Sequence, residues 1–214
     1  APDLPGFGRS DVPQHDCTVA SLAADAAALC GRLGLDSPVI VGHSLAGAIA
    51  LQLAATHPDL PAALVLLDPV GIAPLPAWPP AIAGLVAALR GPAHAAALQG
   101  YTDRMFRPSD DATLRARIVE DMVAARPEVV ASLLASGASW DVGAVVGRVQ
   151  APVLLVSFGE GTPIDLERVR EVIPQVEVGR AVGVGHFGHL IAPDQINAMI
   201  DRFLAVSGAS VVAL

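Results

Sequence analysis

The stretch that most constrains this chain is Pro38-Val39-Ile40-Val41-Gly42-His43-Ser44-Leu45-Ala46-Gly47. Pro38–Val41 is short, β-branched and wholly apolar, as expected for a strand covered on both faces. It runs without a linker into Gly42-x-Ser44-x-Ala46-Gly47 and then into a helical pattern ending near His57-Pro58. A serine on so tight a strand-to-helix turn is held in strained backbone geometry, and its hydroxyl stands clear above the sheet edge. Small residues are needed two before and two after it, because their Cα atoms nearly touch the turn. The backbone N–H of Leu45, at the start of the helix, then faces a developing oxyanion.

The same alternation recurs along the chain. Thr18 is placed to cap an Ala-rich amphipathic helix that runs to Leu33 and stops at Gly34. Leu64–Leu67 reads as a buried strand ended by Asp68-Pro69. From Val70 to Val149 the pattern becomes helical throughout: Pro79–Arg90, Asp110–Arg126 capped by Ser109, Glu128–Ser136 and Asp141–Val149. Alternation resumes with a strand at Val153–Val156, a helix around Asp165–Ile173, a strand at Val176–Val182 and a helix at Pro193–Val206. Strands alternating with helices imply parallel pairing through right-handed crossovers. The expected architecture is therefore α/β, a mostly parallel sheet with flanking helices: a core of residues 1–69 and 150–214, interrupted by a helical cap at 70–149.

Composition removes several classes of function. The net charge is −8, and all 13 cationic side chains are arginine; nucleic acid and anionic membrane surfaces both require a basic face, so neither is an expected partner. The charge-free run Val70–Leu89 contains Pro74, Pro76, Pro79 and Pro80, which argues against a spanning helix. Cys17 and Cys30 match no zinc spacing and read as free thiols; with no signal peptide visible, they point to a reducing, cytoplasmic setting. His186 and His189 have no third ligand nearby, so neither a metal nor any other cofactor is expected.

His186, in Gly185-His186-Phe187, leaves the sheet on a glycine-flanked loop, as a general base serving Ser44 must. His43 precedes Ser44, and its side chain is expected to point the other way from the serine's, as a structural or pocket-lining residue. The chain as a whole resembles the α/β-hydrolase fold family. Ala1–Ser10 is similar to the loop after that family's fourth strand, Val41–Gly47 to its nucleophile elbow, Leu66–Pro69 to the end of the next strand, and Gly183–Phe187 to the loop of the catalytic histidine. Ala46 stands where the family usually has glycine.

The resemblance implies a serine esterase in which Ser44 attacks a carbonyl carbon, His186 moves the proton and a carboxylate orients His186. The family's usual acid position falls on Thr162, which can orient an imidazole but cannot stabilise an imidazolium. Asp68, Asp165 and Glu160 are the substitutes; Asp68 is preferred because some relatives keep their acid at that strand end. The family also has three earlier strands and a loop supplying a second oxyanion donor. This chain reads as the C-terminal three-quarters of such a protein, with Leu45 the remaining donor and Pro38–Val41 an open edge suited to self-association. Loss of one such donor typically costs about 10²- to 10³-fold in turnover, so the alternative is a truncated or inactive hydrolase-like scaffold.

The cap's apolar residues, from Pro74–Trp78 through Ile82–Leu89 to Met105, Phe106, Met122 and Trp140, suit a small hydrophobic ester. They equally suit the cap's own core. Arg104 and Arg107 are candidates to hold a substrate carboxylate. A serine nucleophile excludes dehalogenase and epoxide-hydrolase chemistry, which need a carboxylate there, but leaves carbon–carbon hydrolysis and perhydrolysis open.

Overall fold

A computed structural model describes residues 1–72, 78–159 and 164–209. Helix α1 (Val19–Leu33) begins at a Thr18 N-cap whose side chain accepts from the Ser21 amide, and it ends at Gly34 with φ 62°. Strand β1 (Val39–His43) passes through Ser44 into α2 (Leu45–Thr56), followed by β2 (Ala63–Leu67). Five helices come next: α3 (Trp78–Leu89), α4 (His94–Asp103), α5 (Ala112–Val123), α6 (Pro127–Ser139) and α7 (Gly143–Val146). The core resumes with β3 (Val153–Phe158), α8 (Leu166–Val172), β4 (Val176–Ala181), α9 (Gly188–Ile191) and α10 (Pro193–Ser207).

The four strands are all parallel, in the order β1-β2-β3-β4. Every residue of β2 and β3 is buried, and all but Ser157 are apolar, as strands covered on both faces require. Leu64, Leu66, Val153 and Leu155 face α2 and α8. Val65, Leu67, Leu154 and Val156 face α10 through Ile196 and Phe203. The outer strands carry the polar residues: β4 contains Glu177 and Arg180, and β1 exposes Val41. Helix α1 packs on α2 rather than on the sheet, burying Val19, Leu22 and Ala23; a fully buried leucine such as Leu22 contributes about 1.5–3 kcal/mol.

Several expectations need correction between β2 and β3. Asp111, not Ser109, caps α5, accepting from the Leu114 amide, so that helix begins at Ala112. The segment expected as a helix over Asp141–Val149 forms only the single turn of α7, because Asp141 turns back to accept from the Gly143 amide at 2.9 Å. Helix α4 was not anticipated; its residues Ala95–Leu98 bury only Leu98 and show no clear apolar stripe. The apolar face of α3, through Ile82, Val86 and Leu89, is buried in the core cluster it shares with α6. The same cluster takes in Val19 and Leu22 of α1 and Ala48, Ile49 and Leu53 of α2, so α3 packs into a core shared with those helices. Pro74–Ala77, Glu160 and Thr162 lie outside the described residues.

Candidate active site

Ser44 sits at the N-cap of α2 with φ 56° and ψ −125°, a left-handed conformation that serine rarely adopts. The turn is secured at both ends. The Ser44 amide donates to the Leu67 carbonyl at 2.9 Å, and the Ser44 carbonyl accepts from Gly47 at 3.0 Å and from Val70 at 3.2 Å. A Cβ on Gly42 would run into the Ala46 carbonyl, and one on Gly47 would come within 2.7 Å of the Pro69 Cβ. Position 46 itself takes a methyl without difficulty, which is why alanine stands there. The Leu45 N–H opens α2, where no helix carbonyl can reach it.

Asp68 follows β2 directly. Its backbone is also left-handed, with φ 41°, and its side chain is 1% exposed. One carboxylate oxygen accepts from the Phe158 amide at 3.0 Å; the other lies 2.6 Å from His186 Nδ1, which donates to it. Burial of both groups makes that charge-assisted bond short and directional. Of the two other candidate acids, Asp165 is engaged elsewhere: it caps α8, accepting from the Arg168 amide at 2.9 Å.

The His186 backbone is held by the helical insertion. Its amide donates to the Met105 carbonyl at 3.0 Å, and a Cβ on Gly185 would come within 2.6 Å of the same oxygen. Glycine therefore stands beside the histidine because the α4–α5 connection lies flush against the loop. Sequence reasoning missed this contact, which no local pattern signals.

His43 lines the cavity beside Ser44, one of the two roles expected of it, and its ring lies against that of His186. Its ring lies 4.6 Å from the His186 ring, centroid to centroid, and its Nε2 donates to the His186 carbonyl at 2.7 Å. Burial, and then the neighbouring His186 and His189, hold its pKa well below 6.5. His189 packs on the other side of His43 at 4.3 Å; burial and then His186 lower its pKa to about 4. No group of three potential metal ligands occurs among the described residues.

Ser44, Leu45, His43 and His186 line one cavity of about 560 Å³. The insertion supplies much of its wall, including Met105, Met122 and Leu134, together with Leu4 and Phe7 from the N-terminal loop. Phe106 instead stacks on Phe187 at 4.9 Å, and Trp140 donates from its indole to Gln52 at 3.0 Å. Neither arginine proposed as a carboxylate holder lines the cavity; Arg104 is exposed. Both cysteines are buried free thiols, and no described helix is long and apolar enough to cross a membrane.

A 72-residue stretch of the chain is 51% identical to the lipase LipV of Mycobacterium tuberculosis, covering 32% of this chain and 26% of that protein. The chain thus spans about a quarter of that relative. Across 94% of its length it is 28% identical to an N-formylmaleamate deformylase of Pseudomonas putida, covering 75% of it. It superposes with a TM-score of 0.82 on a thermophilic esterase from Thermogutta terrifontis, at 24% identity, over 94% of this chain and 77% of the other. That likeness concerns the fold. The profile of the alpha/beta hydrolase fold matches residues 1–193, and the chain belongs to that family.

Proposed function

We propose that this chain carries the nucleophile, base and acid of a cofactor-free serine hydrolase that cleaves a small, neutral carboxylic ester. The observation that carries the reading is the buried Asp68–His186 pair, 2.6 Å apart, opening onto the same apolar cavity as the strained Ser44. Relatives named lipase and esterase are consistent with it.

In the proposed reaction, Ser44 Oγ attacks the acyl carbon while His186 takes its proton. Asp68 keeps the imidazole in the required tautomer and stabilises the imidazolium that forms. The Leu45 N–H donates to the carbonyl oxygen as it becomes an oxyanion. His186 returns the proton to the departing alkoxide, which leaves as the alcohol. Water, deprotonated by His186, then attacks the acyl-serine and releases the carboxylic acid. Residues 70–149 serve as the cap: Met105, Met122 and Leu134 exclude water and receive the acyl or alkyl group. Among the described residues the cavity is lined by Asp3 and Asp121 and by no arginine, which disfavours an anionic substrate and is compatible with a neutral one.

The test is labelling by a fluorophosphonate probe and hydrolysis of a short-chain aryl ester, with Ser44→Ala as control. Labelling of Ser44 and turnover well above the control are expected. Absence of both in the wild-type chain overturns the reading and leaves an inactive scaffold.

A further inference from the structure

We infer that His43 is a positioning residue for the base: the hydrogen bond from its Nε2–H to the His186 carbonyl fixes the backbone from which the His186 ring is presented to Ser44. The inference rests on the roles proposed for Ser44 and His186. His43 is the last residue of β1 and immediately precedes Ser44, so one strand end carries both the nucleophile and an anchor for its base, 143 residues away in sequence. An anchor built this way ties the two reacting groups to the same piece of rigid scaffold.

Three separate holds converge on His186. Asp68 accepts a hydrogen bond from its Nδ1–H, the Met105 carbonyl accepts one from its amide, and His43 donates to its carbonyl at 2.7 Å. The first sets the ring's tautomer and tilt; the other two set the backbone on either side of the Cα. Without the third, the peptide after His186 can rotate, and a general base displaced by about 1 Å loses much of its effect.

The surroundings of His43 suit an anchor and not a proton carrier. Its ring is flanked by His189 at 4.3 Å, Phe187 at 5.7 Å and Phe158 at 6.3 Å, which leaves it one orientation. A carbonyl can only accept, so Nε2 carries the hydrogen and a neutral ring leaves Nδ1 as an acceptor. Burial keeps that ring neutral, so no second positive charge opposes the imidazolium that His186 forms.

The experiment compares His43→Phe, which keeps an aromatic ring between Phe158 and Phe187 but removes the donor, with His43→Gln, whose amide nitrogen reaches about as far as Nε2. For aryl-ester hydrolysis, His43→Phe is expected to lower kcat by roughly tenfold with KM unchanged, as befits loss of one buried hydrogen bond. His43→Gln is expected to recover most of that loss. Wild-type kcat in His43→Phe, or no recovery in His43→Gln, overturns the inference. If His43→Phe fails to fold, His43→Met takes its place, and the gap between it and His43→Gln is the deciding quantity.

A second readout does not depend on turnover. The His186 Nδ1 proton, shared with Asp68, is followed as a low-field proton resonance and by its exchange with water. Faster exchange in His43→Phe, reversed in His43→Gln, supports the anchor; identical exchange in all three proteins refutes it. If the wild-type chain neither labels nor turns over, the ester reading falls and the proton readout alone decides on His43.

Discussion

The Asp68 carboxylate accepts a hydrogen bond from His186 Nδ1–H at 2.6 Å, although the two residues lie 118 positions apart and on different loops. Their meeting follows from strand order. Strands β2 and β3 are neighbours, β3 pairs with β4, and both loops leave the same end of the parallel sheet. Asp68 also accepts from the Phe158 amide at the end of β3, which turns its side chain across the sheet toward the loop after β4.

Replacing Asp68 with asparagine keeps the shape but offers His186 the wrong tautomer. The expected loss in aryl-ester kcat is about 10⁴-fold, measured beside wild type. Asp165→Ala is expected to leave kcat unchanged and to lower stability by about 1 kcal/mol in urea denaturation, the usual cost of a lost N-cap. The reverse pattern moves the acid role to Asp165.

Ser44 is held at φ 56°, which glycine tolerates and serine does not. Ser44→Gly is therefore expected to raise the unfolding free energy by about 1 kcal/mol relative to Ser44→Ala while abolishing fluorophosphonate labelling. Equal stability of the two variants in urea removes the argument for strain at the elbow.

Gly42 and Ala46 face each other across the turn, and only one of them has room for a side chain. Gly42→Ala drives a methyl into the Ala46 carbonyl, so a loss of more than about 2 kcal/mol is expected, along with loss of labelling. Ala46→Gly is expected to keep labelling and to cost about 1 kcal/mol or less, the propensity difference at a helix position. Thermal melts and probe labelling on the same samples check both.

Acid should weaken the fold through His189. An unfolded chain protonates this ring near pH 6.5, whereas in the folded state burial, and then His186, delay protonation to about 4. The unfolded state thus binds more protons between those values. Stability is intact above pH 6.5 and is lost progressively as the pH falls toward 4, by about 1–2 kcal/mol after allowing for solvent screening at a half-buried ring. His43 acts in the same direction. In urea titrations from pH 4 to 8, His189→Asn is expected to flatten this slope; an unchanged slope assigns it to other groups.

Strand β1 forms an outer edge of the described sheet, with Val41 at 53% exposure. We propose that this edge, where nothing else covers it, pairs with a second copy of itself. Sedimentation is expected to show association that rises with concentration and weakens in Val41→Lys. A monomer at all concentrations refutes it.

Much of the architecture was legible locally. Thr18 and Gly34 bound α1 because a side-chain cap and a left-handed glycine act within a few residues. Strands β2 and β3 were legible because parallel strands covered on both faces carry few polar side chains, Ser157 alone in these two; Pro38–Val41 read the same way, yet β1 lies at the outer edge with Val41 exposed. Errors gathered between β2 and β3. There Asp111 prevailed over Ser109 as a cap and α4 went unread, while the α3 face, which suited pocket and core equally, packed on α6. The cap is a local choice between two acceptors two residues apart, whereas the partner of α3 is one that no short window contains.

The residues themselves determined that a serine would stand on a sharp bend between a buried strand and a helix, since glycine at 42 and 47 and the β-branched run before them permit little else. They also named His186 and three carboxylates able to serve it. Tertiary structure decided which of the described acids meets His186, that the α4–α5 connection braces its loop through Met105, and that His43 turns toward it. The physical reason is range. Caps, turns and strand character are set by neighbours along the chain, but a hydrogen bond across 118 or 143 residues exists only once the strands have found their order.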